Sequence, residues 1–423
     1  MTFLEELSWR GMLQDQTPGI EEELAKGPVT GYIGFDPTAA SMTIGNFVQI
    51  MLLKLFQQTG NKPIVLMGGA TGRVGDPSGK DKERVLKSYE ELDSNLEFQK
   101  VQIKKFLDFE GENAAIIVNN HDFYKDMNVL SFLRDVGKTL TVSYMTSKES
   151  VKRRIETGLS FTEFSYQLLQ AYDYQCLYSQ YGCKLQMGGS DQWGNITSGT
   201  EFIRRNIQGK AYAATTPLLT KADGTKFGKS TEGNIWLDAD MTTPYAFYQF
   251  WINADDKDIG KFTRYFTLLS KEEIEAREKE FEGNDRMLKK LLAEELTKRV
   301  HSPEDYAAVQ KVSELLFNSK ASTETLMSLD AKSLATVSEE IISFKISKDA
   351  LANGLNIVDF LSENTQIVGS KSDARRAIKG NAISINKNKI ASHEANINHE
   401  VLLHGKYIMV ENGKKNKYMV LAE

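Results

Sequence analysis

An apolar run, "VTGYIGF" (Val29 to Phe35), passes through a turn rich in Gly, Pro and hydroxyl side chains into a segment of helical period. In that segment Ile44, Phe47, Val48, Met51, Leu52 and Leu55 fall at i, i+3, i+4, i+7, i+8 and i+11, one apolar stripe. A second apolar run, "KPIVLMGG" (Lys62 to Gly69), follows. Strand, helix and strand in so short a stretch predict a βαβ unit, because two parallel neighbours need a crossover of this length. A sheet of that kind takes ligands at the carboxyl ends of its strands.

The alternation continues through "AAIIVNN" (Ala114 to Asn120) and "CKLQMGG" (Cys183 to Gly189), and "TPLLT" (Thr216 to Thr220) reads as one more strand. This predicts an α/β domain over residues 1–230. From there the pattern changes to charged amphipathic helices. Met287, Leu288, Leu291, Leu292, Leu296 and Val300 form one face, and Ser302-Pro303 reads as an N-cap with Pro at the first helical position. A helical domain is expected over 231–320 and a linking region, mixed in Ser, Thr and Ala, over 321–354. A small domain over 355–423 should hold a basic helix and short β segments with Gly/Asn turns.

At 423 residues with 41% hydrophobic and 26% charged, the chain has the balance of a soluble globular protein. No apolar run approaches the ~20 residues that span a bilayer, and the acidic start "MTFLEELSWRGMLQDQT" has neither a signal-peptide nor a transit-peptide pattern. A cytoplasmic address is expected, with no membrane partner. Cys176 and Cys183 lack metal spacing and read as reduced core thiols, so no structural zinc is expected. The net charge is −5, yet from Lys371 onward 10 Lys/Arg face 5 Asp/Glu, which makes the C-terminal segment the electrostatic candidate for a polyanion.

Five segments carry candidate chemistry. Gly34, Asp36 and Thr38 sit where the first strand ends, and Thr43, Ile44, Gly45 and Asn46 open the next helix, a place that suits a phosphate. A turn without ligand fits the same residues. Neither of the two commonest nucleotide loops occurs. "DGTKFGKS" (Asp223 to Ser230) reads as a Gly-rich loop presenting Lys226 and Lys229, able to close on a leaving pyrophosphate, or as a solvated lysine turn. Tyr166, Gln170 and Asp173 fall at i, i+4 and i+7 of an otherwise apolar helix, lining a pocket for a small polar ligand or bonding to a neighbouring element. "GGSDQWGN" (Gly188 to Asn195) repeats the strand-then-glycine logic with Asp191 and Gln192, and "GDPSGKDKER" adds Asp76 before Lys80 and Arg84. His121 is the sole histidine before residue 301. With no nucleophile evident, the chemistry reads as positioning and electrostatics.

Taken in order, "GFDPTA", "GGATG", "GDPSGK", "SFTEFSY", "LLQAYD", "GGSDQWGNITSG", "KADGTKFGKS" and "YQFWIN" resemble the bacterial-type tyrosyl-tRNA synthetases of class I, across essentially the whole chain. The resemblance implies a Rossmann-like parallel-sheet catalytic domain, an α-helical anticodon-side domain and a small α+β RNA-binding domain. It implies activation of L-tyrosine by ATP with Mg2+ and transfer to tRNA(Tyr) by a homodimer, with no tightly bound metal or organic cofactor. By position, Tyr32 and Asp173 bind the phenolic OH, and Asp76, Tyr166 and Gln170 the ammonium group. Gly34, Asp36, Gly45, Gly189, Asp191, Gln192, Lys229 and Ser230 bind ATP or the adenylate. Thr38, Thr43, Asn46, Lys80, Arg84, Lys226 and Lys229 act on the phosphates. Arg375, Arg376 and Lys379 contact tRNA, and Phe161 marks the dimer interface.

One departure stands out: the family's HIGH signature reads Thr43-Ile44-Gly45-Asn46 here, so threonine replaces its first histidine. Slowed activation is expected, with Thr43 reaching the phosphates through a water. Competing readings are a synthetase for another aromatic amino acid, which has no use for the Tyr32 and Asp173 pair, and a synthetase-like RNA-binding chain with weakened activation. A nicotinamide dehydrogenase is disfavoured by the missing glycine fingerprint.

Overall fold

The computed structural model describes residues 1–78, 86–225, 227–230, 233–318, 321–352, 354–413 and 416–423; the side chains at 150, 153, 157, 229 and 230 lie outside that description. The chain divides into two units, Met1–Thr242 with Phe250–Val300, and Thr243–Gln249 with His301–Glu423. No helix among the described residues is long and apolar enough to cross a membrane.

The first unit runs α1 (Phe3–Arg10), β1 (Asp15–Gln16), β2 (Thr30–Phe35), α2 (Ile44–Gln58), β3 (Lys62–Met67), α3 (Tyr89–Ile103), β4 (Ile116–Asn119), α4 (Phe161–Tyr181), β5 (Cys183–Gly189), α5 (Trp193–Ile207), β6 (Tyr212–Thr216), α6 (Asp256–Phe266) and α7 (Asp285–Val300), with shorter elements between. The strands form one sheet in the order β1-β6-β5-β2-β3-β4. All its pairs are parallel except β1 with β6. From β2 the chain winds outward to β3 and β4, then returns to lay β5 on the other side of β2. That reversal is a switch point, and the crevice above the carboxyl ends of β2 and β5 is where such a sheet binds ligands. The strands are buried on both faces, as a sheet covered by helices requires. Cys176 and Cys183 are free thiols buried in this core, and burial pushes the Cys176 thiol up to about 12.

Two expectations need correction. "TPLLT" is not the strand before the Gly-rich loop; β6 is the preceding "YAATT", buried throughout, and only its last residue is shared. The helices of 256–300 belong to the first unit, so the helical domain expected over 231–320 is divided between the two. Aromatic packing explains this, because Phe266 of α6 stacks on Phe47 of α2 with ring centroids 6.0 Å apart and planes 6° from parallel.

The second unit contains α8 (Pro303–Phe317), α9 (Ala331–Glu340), β7 (Ile342–Ile346), α10 (Lys371–Lys379), β8 (Ile383–Ile385), β9 (Asn388–Lys389), β10 (Tyr407–Asn412) and β11 (Asn416–Ala422), again with shorter elements between. Ser302 caps α8, accepting from Asp305 N at 2.9 Å with Pro303 at the first position. The sheet order is β9-β8-β10-β11-β7. Residues 321–354, expected as a linking region, carry α9 and β7, and β7 pairs parallel with β11 from Ile342–Tyr418 to Ile346–Ala422. This pairing joins positions far apart in sequence, which no local pattern announces. Ile346, Phe360, Ile378, Ile383, Ile408 and Val420 share the core. Ala374 and Ile378 turn one face of α10 inward, leaving Arg375, Arg376 and Lys379 exposed, with Arg376 paired to Asp373.

Candidate active site

At the switch point Gly34 is the penultimate residue of β2 and the strand's one exposed residue, and a Cβ built there meets nothing within 4 Å. Glycine there leaves the backbone open to close approach. The chain then turns through Asp36–Met42 into α2, whose N-cap is Thr43. Thr43 Oγ1 accepts from Asn46 N at 3.3 Å, and Asn46 Oδ1 accepts from Thr43 N at 3.0 Å and from Thr43 Oγ1 at 2.8 Å, a capping box. The Thr43 hydroxyl proton lies on Asn46. Gly45 and Asn46 are exposed on the first turn of α2.

A cavity of about 220 Å³ opens on this turn, lined by Asp36, Thr38, Ser41, Thr43, Asn46, Gln99, Asn234 and Trp236. The chain leaving the Gly-rich loop forms one wall. Ile44 N donates to Ile235 O at 3.0 Å, Leu237 N to Met42 O at 2.8 Å and Asp238 N to Ser41 Oγ at 3.1 Å. Gly228, at φ +89°, sits against the start of α2; a Cβ there would lie 3.3 Å from Ile44 Cγ1 and 3.5 Å from Gly45 N. The two motifs are thus in contact. Lys80, Arg84 and Lys226 lie outside the described residues, as do the side chains of Lys229 and Ser230, whose backbone pairs with Gly233 and Asn234.

Phe227 went unremarked in the sequence and anchors the loop. It is buried, with its ring 5.3 Å from Phe266, 5.0 Å from Phe262 and 5.9 Å from Trp251.

On the other side of the crevice lies a chain of buried polar groups. Tyr166 of α4 donates to Asp36 Oδ2 at 3.0 Å, and Thr71 Oγ1 donates to Asp36 Oδ1 at 2.7 Å. Asn120 Nδ2 reaches Thr71 Oγ1 at 3.0 Å and Asp173 Oδ2 at 2.9 Å, while Tyr124 donates to Asp173 Oδ1 at 2.6 Å. Gly68 makes room for this, since a Cβ there would fall 2.2 Å from Asp36 Oδ1. Burial pushes the Asp173 carboxyl up to about 7, against the pull of the Tyr124 and Asn120 bonds. Tyr32 is fully buried, and its hydroxyl has no hydrogen-bond partner among the described residues. Burial, and then the charge of Asp173, push that phenol well above its ordinary range.

Asp76 is also buried, accepting from Gln192 Nε2 at 2.7 Å and Ser78 N at 2.9 Å; Asn195 Nδ2 bonds Ser78 Oγ at 3.1 Å. Gln170 is half-buried on the Tyr166 and Asp173 face of α4. Gly189 ends β5 beside Asp191, whose Oδ1 lies 2.7 Å from the position of a Cβ on that glycine. Thr38 is exposed at the cavity. Asn120 and Tyr124 escaped the sequence reading because neither belongs to a motif and both precede Asp173 by about fifty residues.

Comparison with known proteins decides the family. Residues 24–318 match the family model for class I tRNA synthetases (W and Y), and residues 335–421 match the tyrosine-tRNA ligase C-terminal domain. The chain belongs to the tyrosyl-tRNA synthetases. It is 55% identical over 423 residues to the tyrosine-tRNA ligase of Cytophaga hutchinsonii, covering 99% of each, and 51% identical over 431 aligned positions to that of Bacteroides fragilis, covering both in full. A C-terminally truncated mitochondrial tyrosyl-tRNA synthetase from Aspergillus nidulans superposes with a TM-score of 0.67 at 30% identity, over 75% of this chain and 94% of that one.

Proposed function

We propose that the chain joins L-tyrosine to tRNA(Tyr) in two steps. The tyrosine carboxylate attacks the α-phosphorus of ATP, pyrophosphate leaves, and a ribose hydroxyl at the 3′ end of tRNA then takes the tyrosyl group from the adenylate with loss of AMP. The observation that carries the reading is Tyr32: a buried hydroxyl left without a partner costs about 1–3 kcal/mol, and a phenolic ligand held between Tyr32 and Asp173 gives that hydroxyl a partner while adding to the bonds Asp173 accepts from Tyr124 and Asn120. Phenylalanine leaves the Tyr32 hydroxyl unpaired.

Asp76, Tyr166 and Gln170 take the ammonium group. Gly34, Asp36, Gly45, Gly189, Asp191 and Gln192 receive ATP and the adenylate along the crevice edge. Thr38, Thr43 and Asn46, with Lys80, Arg84, Lys226, Lys229 and Ser230, meet the phosphates, where fixed amide dipoles and ammonium groups stabilise the charge that grows on the leaving pyrophosphate. Magnesium arrives as a substrate with ATP.

Arg375, Arg376 and Lys379, on the exposed face of α10, suit the tRNA backbone. The enzyme works as a homodimer in the cytoplasm. Phe161 is 75% and Leu130 77% exposed, and Val129, Leu133 and Val142 add to an apolar surface that favours a second copy.

The test is ATP–pyrophosphate exchange with tyrosine, tryptophan and phenylalanine supplied in turn. Exchange with tyrosine alone is expected; exchange with tryptophan or phenylalanine in preference, or with none, overturns the reading.

A further inference from the structure

Helix α3 buries Leu92, Leu96 and Ile103, and among them it buries three amides, Asn95, Gln99 and Gln102, at i, i+4 and i+7. Burying an amide is unfavourable unless its hydrogen bonds are remade, so three on one helix face require a common set of partners. All three reach the turn between β2 and α2. Asn95 Nδ2 donates to Pro37 O at 3.2 Å, Gln99 Nε2 to Ala39 O at 2.8 Å, and Gln102 Nε2 to Ser41 Oγ at 2.9 Å while its Oε1 accepts from Met42 N at 2.9 Å. The spacing explains the match. The i, i+4, i+7 positions share one face of the helix, and along that face they meet Pro37, Ala39 and Ser41, every second residue of the turn.

The last rung does more than hold the turn. Ser41 Oγ also accepts from Asp238 N, so the same serine ties down the chain that leaves the Gly-rich loop. Gln99 lines the 220 Å³ cavity beside Thr38, Thr43 and Asn46, and its Oε1 is buried with no partner among the described residues.

We propose that Asn95, Gln99 and Gln102 are positioning residues for the ATP end of the reaction, a ladder that fixes the Pro37–Met42 turn so that Thr38 and the start of α2 face the phosphates. This rests on the assignment of that cavity to ATP. The amino-acid pocket is built from β2, α4 and the Thr71 and Asn120 network, whereas the ladder's bonds go to Pro37, Ala39, Ser41 and Met42.

Pyrophosphate exchange by Gln99→Met, which keeps the length of the side chain and removes the amide, tests this. The expected result is a KM for ATP raised three- to tenfold, from one hydrogen bond lost, with the KM for tyrosine and the melting temperature close to those of the unsubstituted enzyme. Gln102→Met loses two hydrogen bonds and leaves the buried Met42 N–H without its acceptor, so it should raise the KM for ATP at least as much, with a lower melting temperature and an unchanged KM for tyrosine, and it carries the test if Gln99→Met does not fold. Thr38→Val is the control for the cavity. If it raises the KM for ATP while both amide variants leave it unchanged, the ladder is overturned and the cavity assignment stands. If all three leave it unchanged, the assignment falls and the ladder with it. A rise in both KM values together also overturns the proposal.

Discussion

Thr43 Oγ1 donates to Asn46 Oδ1 over 2.8 Å, and Asn46 N donates back to Thr43 Oγ1 over 3.3 Å. Where the family signature carries histidine, this chain closes its helix with a capping box, and the hydroxyl proton is occupied. Thr43→His restores an imidazole donor at the phosphate end. A charge-assisted hydrogen bond is worth about 1.5–3 kcal/mol, so pyrophosphate exchange should speed by about tenfold or more. The lost cap should cost about 0.5–2 kcal/mol of stability. Faster exchange with a lower melting temperature is the expected pair of results; unchanged exchange removes histidine's assumed advantage.

Gly34 separates binding from folding. A Cβ there meets nothing and the backbone is not left-handed, so Gly34→Val should leave stability within about 0.5 kcal/mol. The branched side chain would stand in the crevice where ATP approaches. Calorimetric titration should show weakened ATP binding by a protein with an unaltered melting curve.

What the sequence made legible was local. Short apolar runs and one stripe of period 3.6 located β2, α2, β3 and β5, and Ser302-Pro303 marked the start of α8, because each signal lies within a few residues. Pairings made across the chain were not legible: β7 with β11, β1 with β6, and the Phe227 cluster with rings from 250 to 266. The amides of α3 form an intermediate case. Their i, i+4, i+7 spacing equals that of Tyr166, Gln170 and Asp173, but amides without a glycine-rich neighbour read as an ordinary wet face.

Arg10 tests the joining of α1 to α6. Its guanidinium is buried, donating to Arg264 O at 2.5 Å, Thr267 O at 3.0 Å and Leu269 O at 2.7 Å, and it pairs with Glu6 at 2.6 Å. Arg10→Leu leaves three carbonyls and a carboxylate unanswered, a loss of about 3–5 kcal/mol. Arg10→Lys should recover little, since one ammonium cannot fork to three carbonyls. Urea denaturation followed by tryptophan fluorescence measures both.

The exposed apolar side chains of Phe161 and of the 129–142 stretch predict oligomeric state. Val136, Leu140 and Met145 pack inward against Leu168, while Val129, Leu130, Leu133 and Val142 from the same stretch stay exposed. Leu130→Asp combined with Phe161→Asp should yield a folded monomer in sedimentation velocity. A dimer that survives both charges would place the interface elsewhere.

Asp173 predicts a pH dependence whose sign follows from its burial. Its carboxyl titrates near 7 in the folded chain against 3.8 as the ordinary value, so between those pH values the folded state holds a proton that the unfolded state has lost. Stability from this group is full below about pH 4 and declines as pH rises to about 7. Asp173→Asn should flatten the slope of stability between about pH 4 and 7, as read from urea midpoints. Tyrosine binding runs the other way, because a phenol donates to the carboxylate rather than to the acid. The KM for tyrosine should fall as pH rises through 7, and a KM independent of pH from 6 to 8 would mean that Asp173 is already ionised when tyrosine arrives.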